Sequence, residues 1–289
     1  PCVIMASCDY DHYRKPSPNG WTLFLNTYCD SQECAKLNLA CCAYVGDAAG
    51  RSQNWDGRGA QADFACSDRE FALNLGVPFY TPEEYFLNAA PTVDWSHRFY
   101  TPKVARFPTK HTADGRQVFM RTQQELVLFV GLPGSGKTSF ASSHFKPYGY
   151  GWANQDTLKT RDKCLQVAEA ALKAGQSCVV DNTSPARSVR ALYVAMAKKY
   201  PGVEVRCFHF NVSNVLARHL NAHREATTLG RTKLVPQIAY SNYASQFESP
   251  SEGEGFAEVV EIQFVPSFES PAEEKRFGHF LVQEKFAKR

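Results

Sequence analysis

A glycine-rich segment at 131–138 is the feature that most limits how this chain can fold. Residues 131–138 read GLPGSGKT and match the pattern G-x-x-x-x-G-K-[ST], with an apolar run before them and a helix-forming segment after them. Glycines let successive N–H groups turn toward a phosphate, and the positive end of the helix adds to the attraction. We expect Lys137 to contact the outer phosphates and Thr138 to be a Mg2+ ligand. The predicted nucleotide-binding residues are Gly131, Leu132, Pro133, Gly134, Ser135, Gly136, Lys137, Thr138 and Ser139.

The segments after residue 125 alternate between strand and helix patterns. Strands are predicted at 126–130, 177–180 and 203–210, and helices at 138–146, 163–174 and 187–199. Alternation of this kind gives right-handed βαβ crossovers and a parallel sheet. The C-terminal part is therefore predicted to be an α/β domain.

The amino-terminal part is predicted to be a second domain, because 289 residues exceed the usual size of one. Short apolar runs at 2–6 and 41–45 are typical of buried strands in an α/β sheet. From residue 88 to 124 the pattern loses its period and prolines accumulate. The predicted organisation is a domain at 1–90, a linker at 91–124 and a domain at 125–289.

Composition excludes several classes of protein. With 44% hydrophobic and 21% charged residues, the chain is typical of a folded globular protein. Its net charge of +3 means that any nucleic-acid contact needs a local basic patch. No apolar run of about 18 residues and no signal-peptide pattern is present, which favours an intracellular protein without a membrane partner. Ten cysteines without a CxxC pair indicate reduced thiols, and the spacing disfavours zinc at Cys29, Cys34 and Cys41 or Cys42.

Polar side chains follow two predicted strands, one in the segment 150–155 and the other at 177–180. Asp156 comes about 20 residues after Lys137, at the sheet edge where ligands meet α/β folds. It could accept the proton of an attacking hydroxyl, or it could cap the helix that follows. Asp181, Asn182 and Thr183 end another strand and could order Mg2+-bound water or substrate. The alternative for these three is an Asx or cap motif.

A basic segment lies between the strand at 203–210 and Tyr240. It contains Arg218, Arg224, Arg231 and Lys233. Several cations near a phosphoryl-transfer site suggest a lid that neutralises developing charge. A solvated basic helix face is the alternative for each residue taken singly.

Five ordered motifs between residues 125 and 268 resemble the kinase domain of the polynucleotide kinase 3′-phosphatase family. They are GLPGSGKTSF, the NQDTL around Asp156, the VVDNTSP around Asp181, the ARHLNAHRE around Arg224, and the segment from Tyr243 to Pro250 followed by EGF. Three earlier motifs resemble the later part of the haloacid-dehalogenase-like phosphatase domain of that family. They are YRKP at 13–16, YVGDAAGR at 44–51 and the segment 63–86.

The resemblance implies an enzyme that phosphorylates 5′-hydroxyl ends of DNA with ATP and Mg2+. It assigns the general base to Asp156 and a lid arginine on the ATP phosphates to Arg224. It assigns contact with the DNA to Arg190, and Arg187, Lys159 and Arg161 are further candidates for a basic acceptor groove. Gln155 departs from the family, which carries arginine there, and this weakens the expected grip on the strand.

In the amino-terminal part the resemblance assigns phosphate neutralisation to Lys15 and a phosphatase Mg2+ to Asp47, with Asp68 as a further acidic candidate. Such phosphatases attack with the first Asp of a D-x-D-G-T loop well before the lysine. Asp9 and Asp11 lie close before Lys15 without Gly-Thr after them, so we interpret them as loop residues. We therefore expect the chain to lack the front of the phosphatase domain and its 3′-phosphatase activity.

Two other functions stay open at this point. A P-loop kinase of a small metabolite or nucleoside would use the same loop and the same Asp. A non-catalytic nucleotide- or DNA-binding remnant is the other alternative. The resemblance also implies DNA ends, or RNA ends, as partners, repair-scaffold proteins as further partners, a monomer, a role in strand-break repair and a nuclear location. The basic tail 285–289 is too short to establish that location.

Overall fold

The structure is a computed structural model that describes residues 3–8, 11–29, 37–97 and 99–283. The chain divides into two compact units. The first comprises residues 1–104, 221–234 and 268–289, and the second comprises 105–220 and 235–267.

Within the described residues the chain forms nine strands and ten α-helices. The strands are β1 (Tyr44–Val45), β2 (Phe79–Tyr80), β3 (Phe99–Tyr100), β4 (Glu125–Gly131), β5 (Gly151–Ala153), β6 (Cys178–Val180), β7 (Glu204–Phe210), β8 (Glu258–Ile262) and β9 (Val282–Gln283). The helices are α1 (Asn19–Tyr28), α2 (Ser67–Leu75), α3 (Pro82–Leu87), α4 (Lys137–His144), α5 (Gln155–Leu158), α6 (Arg161–Lys173), α7 (Arg187–Ala197), α8 (Asn214–Thr227), α9 (Gln237–Gln246) and α10 (Pro271–Phe277). None of the helices in the described part is long and apolar enough to cross a membrane.

The first unit contains two short sheets. β1 pairs with β2 in parallel, and β3 pairs with β9 in the antiparallel sense. α3 begins with a capping box, in which Thr81 accepts from the N–H of Glu84 and the Glu84 carboxylate accepts from the N–H of Thr81. The reciprocal bonds fix where this helix starts after β2.

The second unit is built on a five-stranded parallel sheet in the order β5-β6-β4-β7-β8. All seven residues of β4 are buried, because helices cover both faces of a sheet of this kind. Alternate side chains of β4 enter two separate cores: Leu126, Leu128 and Val130 pack in one, and Val127 and Phe129 in the other.

The two cores differ in composition. The first is mostly aliphatic, and it receives Cys164, Ala168 and Leu172 from α6. The second is aromatic, and it includes Phe140 from α4 and Phe208 from β7. Together they hold α4 and α6 against the sheet, and these helices begin next to the ends of β4 and β5.

The fold class is confirmed: the second unit is α/β with a parallel sheet. The predicted strands and helices of this unit agree with the observed ones to within three residues at each end. The predicted strand at 2–6 is wrong for its described part, 3–6, where no strand forms and the side chains are exposed. A short apolar run needs a partner strand, and no sheet of the described residues includes this one. The strand predicted at 41–45 is shorter than expected, since β1 covers only its last two residues.

The compact units differ from the predicted domains. Residues 91–104 of the predicted linker fall in the first unit and 105–124 in the second. Phe119 shows the reason, because it is buried in the aromatic core beside Phe140 and Phe208. Residues 221–234 and 268–289, predicted as part of the C-terminal domain, are compact with the first unit.

Candidate active site

The loop between β4 and α4 has the backbone that a phosphate site needs. Gly134 and Gly136 have φ values of +76° and +89°, in the left-handed region that glycine adopts without a steric penalty. Gly131 permits a close approach, since a Cβ there would lie 2.8 Å from Cβ of Phe210 on β7. The glycines of the motif therefore meet local requirements of the turn and of the packing between β4 and β7.

Lys137 is the first residue of α4, and its side chain is buried. Its Nζ donates to the carbonyl oxygens of Gly131 (3.0 Å) and Leu132 (2.6 Å) and to Oγ of Ser135 (3.2 Å). Burial lowers the pKa of this ammonium to about 8, and two nearby carboxylates oppose the shift. A buried cation bonded to uncharged oxygens would gain strongly from an anionic ligand.

Asp181 follows β6, and its buried carboxylate is the centre of a hydrogen-bond cluster. Oδ2 accepts from Oγ1 of Thr138 (2.8 Å), Nδ2 of Asn154 (2.9 Å) and Nε1 of Trp152 (3.3 Å). The groups come from α4, from β5 and from the residue that follows β5. The carboxyl ends of three adjacent strands thus contribute to one cluster, as expected for a ligand site in an α/β sheet.

Thr138 and Asp181 supply a donor set that fits Mg2+. A hydroxyl and a carboxylate are hard oxygen ligands, and Mg2+ is usually held by one or two protein groups together with phosphate oxygens and water. No cluster of three His, Cys, Asp or Glu side chains that could hold a metal occurs in the described residues. Cys34, one member of the disfavoured zinc set, lies outside them.

Asp156 lies exposed in the first turn of α5, the short helix that follows β5. The helix is capped by Asn154, whose Oδ1 accepts from the N–H of Thr157 at 3.1 Å. Since Nδ2 of Asn154 also donates to Asp181, one side chain joins the helix that carries Asp156 to the Asp181 cluster. The capping role considered for Asp156 belongs to Asn154. The Asp156 carboxylate is one of the two charges that act on Lys137, and Asp181 is the other.

Asn182 and Thr183 join neighbouring loops. Oδ1 of Asn182 accepts from the N–H of Gln155 at 2.8 Å, and the carbonyl oxygen of Thr183 accepts from the N–H of Gly131 at 3.2 Å. The bonds set the segment after β6 against α5 and against the phosphate-binding loop. Substrate binding by these side chains stays a prediction.

Arg190 does not face solvent, and its predicted contact with DNA is wrong for this geometry. The side chain is fully buried on α7, and its guanidinium forms two 2.7 Å hydrogen bonds with the Glu254 carboxylate. It also donates to the carbonyl oxygens of Ser184 (3.2 Å) and Pro185 (2.8 Å). Arg190 therefore holds the loop after Asp181 in place. Its guanidinium is paired with a buried carboxylate and is not available to a phosphate.

Arg224 lies exposed on α8, where its guanidinium donates to Oδ1 of Asn221 at 3.1 Å. Both residues fall in the part of α8 that is compact with the first unit. Arg218, one turn and a half earlier, packs over the ring of Tyr240 with 4.1 Å between the guanidinium carbon and the ring centroid. The lid role of Arg224 therefore stays a prediction.

In the first unit, Lys15 and Asp68 form an ion pair, as the resemblance led us to expect for residues of one site. Tyr44 takes part, because Lys15 Nζ donates to its hydroxyl at 3.1 Å and that hydroxyl donates to Asp68 at 3.3 Å. Burial works against the Lys15 charge, but the bonds to Asp68 and Tyr44 outweigh it and raise the pKa of Lys15. Gly46 is required here, since a Cβ would lie 2.5 Å from Asp68 Oδ2.

Asp47 lies exposed on the same turn as Gly46, and the next residue donates its N–H to Asp68 Oδ2 at 3.0 Å. Asp47 and Asp68 thus border one loop, and a metal role for Asp47 stays a prediction. Of the rejected nucleophile candidates, Asp9 lies outside the described residues, and Asp11 is exposed in a turn.

Sequence reasoning missed four residues that shape these two sites. Asn154 was detectable, since an Asn directly before a short helix is a standard N-cap. Trp152, Tyr44 and Glu254 carried no local signal, because their partners lie 29, 24 and 64 residues away.

The parallel sheet, the glycine loop with its buried lysine and the acidic cluster define the second unit as a P-loop kinase fold. A family model described as "AAA domain" matches residues 152–250 of this unit. A model described as "Polynucleotide kinase 3 phosphatase" matches residues 1–86.

Over most of its length the chain is similar to two proteins named as bifunctional polynucleotide phosphatase/kinases. It is 35% identical over 270 residues to the "Bifunctional polynucleotide phosphatase/kinase" of Schizosaccharomyces pombe, covering 91% of this chain and 60% of that protein. It is 32% identical over 273 residues to the "Putative bifunctional polynucleotide phosphatase/kinase" of Acanthamoeba polyphaga mimivirus, covering 91% of this chain and 65% of that protein. The chain thus spans less than two thirds of the length of either relative.

Among solved structures, the crystal structure of a fungal RNA kinase is similar with a TM-score of 0.39 and 14% identity. The similarity covers 53% of this chain and 81% of that one. It carries no inference about acceptor or mechanism.

Proposed function

We propose that this chain transfers the γ-phosphoryl group of ATP to the 5′-hydroxyl end of a polynucleotide. The observation that carries the proposal is the arrangement around Asn154, which joins the exposed Asp156 to the Asp181–Thr138 pair beside the phosphate-binding loop. The names of the two relatives supply the acceptor class, a polynucleotide.

In this reaction the loop N–H groups and Lys137 bind the ATP phosphates. The Asp156 carboxylate, free of hydrogen bonds from its own helix cap, accepts the proton as the 5′-oxygen bonds to the γ-phosphorus and ADP leaves. Mg2+ held at Thr138 and Asp181 supplies neutralisation of phosphate charge when bound. Lys137 and the proposed lid residue Arg224 balance the charge on the transferred group. Asn154 keeps Asp156 in register with the nucleotide.

The acceptor strand is proposed to lie on exposed cations at the end of α5 and at the first residues of α6 and α7. Lys159, Arg161 and Arg187 are exposed, and Lys159 Nζ donates to the carbonyl oxygen of Asp156 at 2.5 Å. They replace Arg190, whose charge is paired internally. Strand affinity should therefore fall as salt rises, because phosphate contacts release counterions.

The test is transfer of labelled γ-phosphate from ATP to a 5′-hydroxyl oligonucleotide by wild type, Asp156→Asn and Asp162→Asn. Asp162 is a matched control for kcat, since it is an exposed Asp in the first turn of the next helix, α6. Its carboxylate lies 3.6 Å from Nε of Arg161, so the KM of the acceptor is not part of this control. Loss of a general base lowers kcat by about 10²–10⁴-fold, so we expect that loss for Asp156→Asn. Asp162→Asn should stay within a factor of two, about the scale of a neutral surface change.

Acceptors of different size separate the alternatives. Phosphorylation of a free nucleoside as fast as of the oligonucleotide would replace the polynucleotide acceptor with a small one. ATP binding without transfer to either acceptor would indicate the non-catalytic remnant.

We further propose that the 289 residues by themselves release no 3′-phosphate, because they contain no D-x-D-G-T loop to pair with Lys15 and Asp68. Strand-break repair in the nucleus, on DNA or RNA ends and with repair-scaffold partners, is the setting that this activity fits.

A further inference from the structure

A cavity of about 330 Å³ lies in the first unit, apart from every residue assigned above. It is lined by residues of α1, α2, the last turns of α8, and α10 with the segment after it. Its volume falls at the lower end of the range of about 300–1,000 Å³ for small-ligand pockets. The cavity is therefore large enough for one small organic molecule.

The walls of the cavity are held by hydrogen bonds between protein groups. Nδ2 of the buried Asn74 donates to the carbonyl oxygens of Pro16 (2.7 Å) and Phe280 (3.1 Å), and its Oδ1 accepts from the N–H of Phe280 (2.9 Å). Nδ2 of Asn19 donates to the carbonyl oxygen of Ala226 at 3.1 Å, which ties α1 to α8. The shape is thus built into the unit and needs no ligand to create it.

The lining combines an aromatic ring with positive charge. Trp21 contributes an indole, Lys275 and Arg276 contribute exposed cations, and no acidic side chain of the described residues lines the cavity. Neither cation forms an ion pair with a described residue. Burial, together with the charges of Lys275, His223 and Arg276, lowers the pKa of His279 to about 4. Burial is the larger cause, and the charges of Lys275 and Arg276 act in the same direction, so an anion in the cavity would be attracted to these two side chains.

We propose that this cavity binds a nucleotide, with the base against Trp21 and the phosphate on Lys275 and Arg276. Nucleobases stack on indoles, and charge-assisted bonds hold phosphates at paired cations. The site does not depend on the kinase activity proposed above. The same chemistry can come from a free nucleotide or from one residue of a nucleic-acid strand.

The test is fluorine NMR of the full chain labelled with 5-fluorotryptophan and titrated with thymidine 5′-monophosphate. The four tryptophans give one signal each, and Trp21→Phe assigns the signal of the cavity. Trp152 donates to Asp181, so its signal reports the kinase site in the same spectrum. We expect a saturable shift of the Trp21 signal. Its titration curve should be independent of that of the Trp152 signal.

The double variant Lys275→Glu, Arg276→Glu should raise the apparent Kd at the Trp21 signal about ten-fold or more, as loss of a hydrogen bond to a charged group does. Lys163→Glu, Lys173→Glu is the matched control, since both residues are exposed on α6 in the second unit. It should leave the Kd unchanged. Thr22→Trp should abolish the shift by filling the cavity from an exposed wall position.

Unchanged signals of the other tryptophans show that each variant is folded. An oligothymidylate that binds more tightly than the monophosphate identifies a strand as the source, and binding of the monophosphate alone identifies a free nucleotide. A Trp21 signal that stays in place up to millimolar probe, or a shift that the double charge reversal leaves intact, would overturn the proposal.

Discussion

Two lysines in this molecule meet opposite surroundings. Lys137 of the second unit donates to two carbonyl oxygens and a hydroxyl, and burial lowers its pKa to about 8. Lys15 of the first unit pairs with the Asp68 carboxylate, and its pKa is raised. The ammonium of Lys137 thus has uncharged hydrogen-bond partners and can form an ion pair with an anionic ligand, whereas the ammonium of Lys15 already forms an ion pair with Asp68.

Both lysines lie near carboxylates, so proximity to a carboxylate does not separate their surroundings. What differs is whether the nearest oxygens carry a charge. Asp181 and Asp156 lie close enough to act on Lys137, yet in the described structure neither accepts a bond from it. The distinction leads to three expectations beyond the Asp156 test.

The largest effect is expected from removing the charge of Lys137, and removal of the charge of Lys15 is the comparison. Lys137→Met should lower kcat/KM for oligonucleotide phosphorylation about 10²–10³-fold, the range for losing one stabilising donor at the reacting group. Lys15→Met should leave this activity within a factor of two. Equal losses in steady-state assays of the two variants would remove the distinction between the sites.

A smaller effect is expected from Asp68→Asn, and it concerns the free energy of unfolding. The buried carboxylate accepts from Lys15, Tyr44 and the N–H of Ala48, so weakening these bonds should lower the free energy of unfolding by about 1–3 kcal/mol. Urea unfolding of the first unit, followed by tryptophan fluorescence, measures the change. Asp47→Asn is the control, because this exposed carboxylate should contribute less than about 0.5 kcal/mol. A free energy of unfolding equal to that of the wild type would mean that the ion pair contributes little to stability.

The smallest effect concerns pH. Lys137 must be protonated to bind phosphate, and its pKa in the free protein is about 8. ATP·Mg2+ affinity should therefore be level below pH 8 and fall by up to about ten-fold per pH unit above it. Calorimetric titrations between pH 7 and 9.5 test this, and Lys137→Arg should remove the dependence, since arginine keeps its charge. A level affinity up to pH 9.5 in the wild type would contradict the lowered pKa.

The sequence predicted the sheet of the second unit well, for a physical reason. A strand buried on both faces is mostly apolar, as β4 is after Glu125, and the glycine loop after it fixes where the strand ends and α4 begins. The positions of Thr138 and Asp181 follow from the rule that ligand groups gather at the carboxyl edge of a parallel sheet.

Contacts between distant segments were not predictable. An arginine on a helix is expected to be exposed. The burial of Arg190 depends on a charged partner, Glu254, which lies 64 residues further along the chain. Phe119 lies in a stretch without periodicity, yet it fills a gap between Phe140 and Phe208. The apolar run at 3–6 had the right composition for a strand, and strand formation depends on a partner that composition does not reveal.

The ion pair between Arg190 and Glu254 joins two residues that are synthesised 64 positions apart, and this has a consequence for folding during synthesis. The loop after Asp181 is translated well before Glu254, and its backbone carbonyls at Ser184 and Pro185 are held by Arg190. Because a chain folds as it leaves the ribosome, the earlier strands can pair while Arg190 still lacks its carboxylate. We therefore expect the loop to reach its final position only when the segment before β8 has emerged, so that a shorter nascent chain would have the residues of the site without their final arrangement.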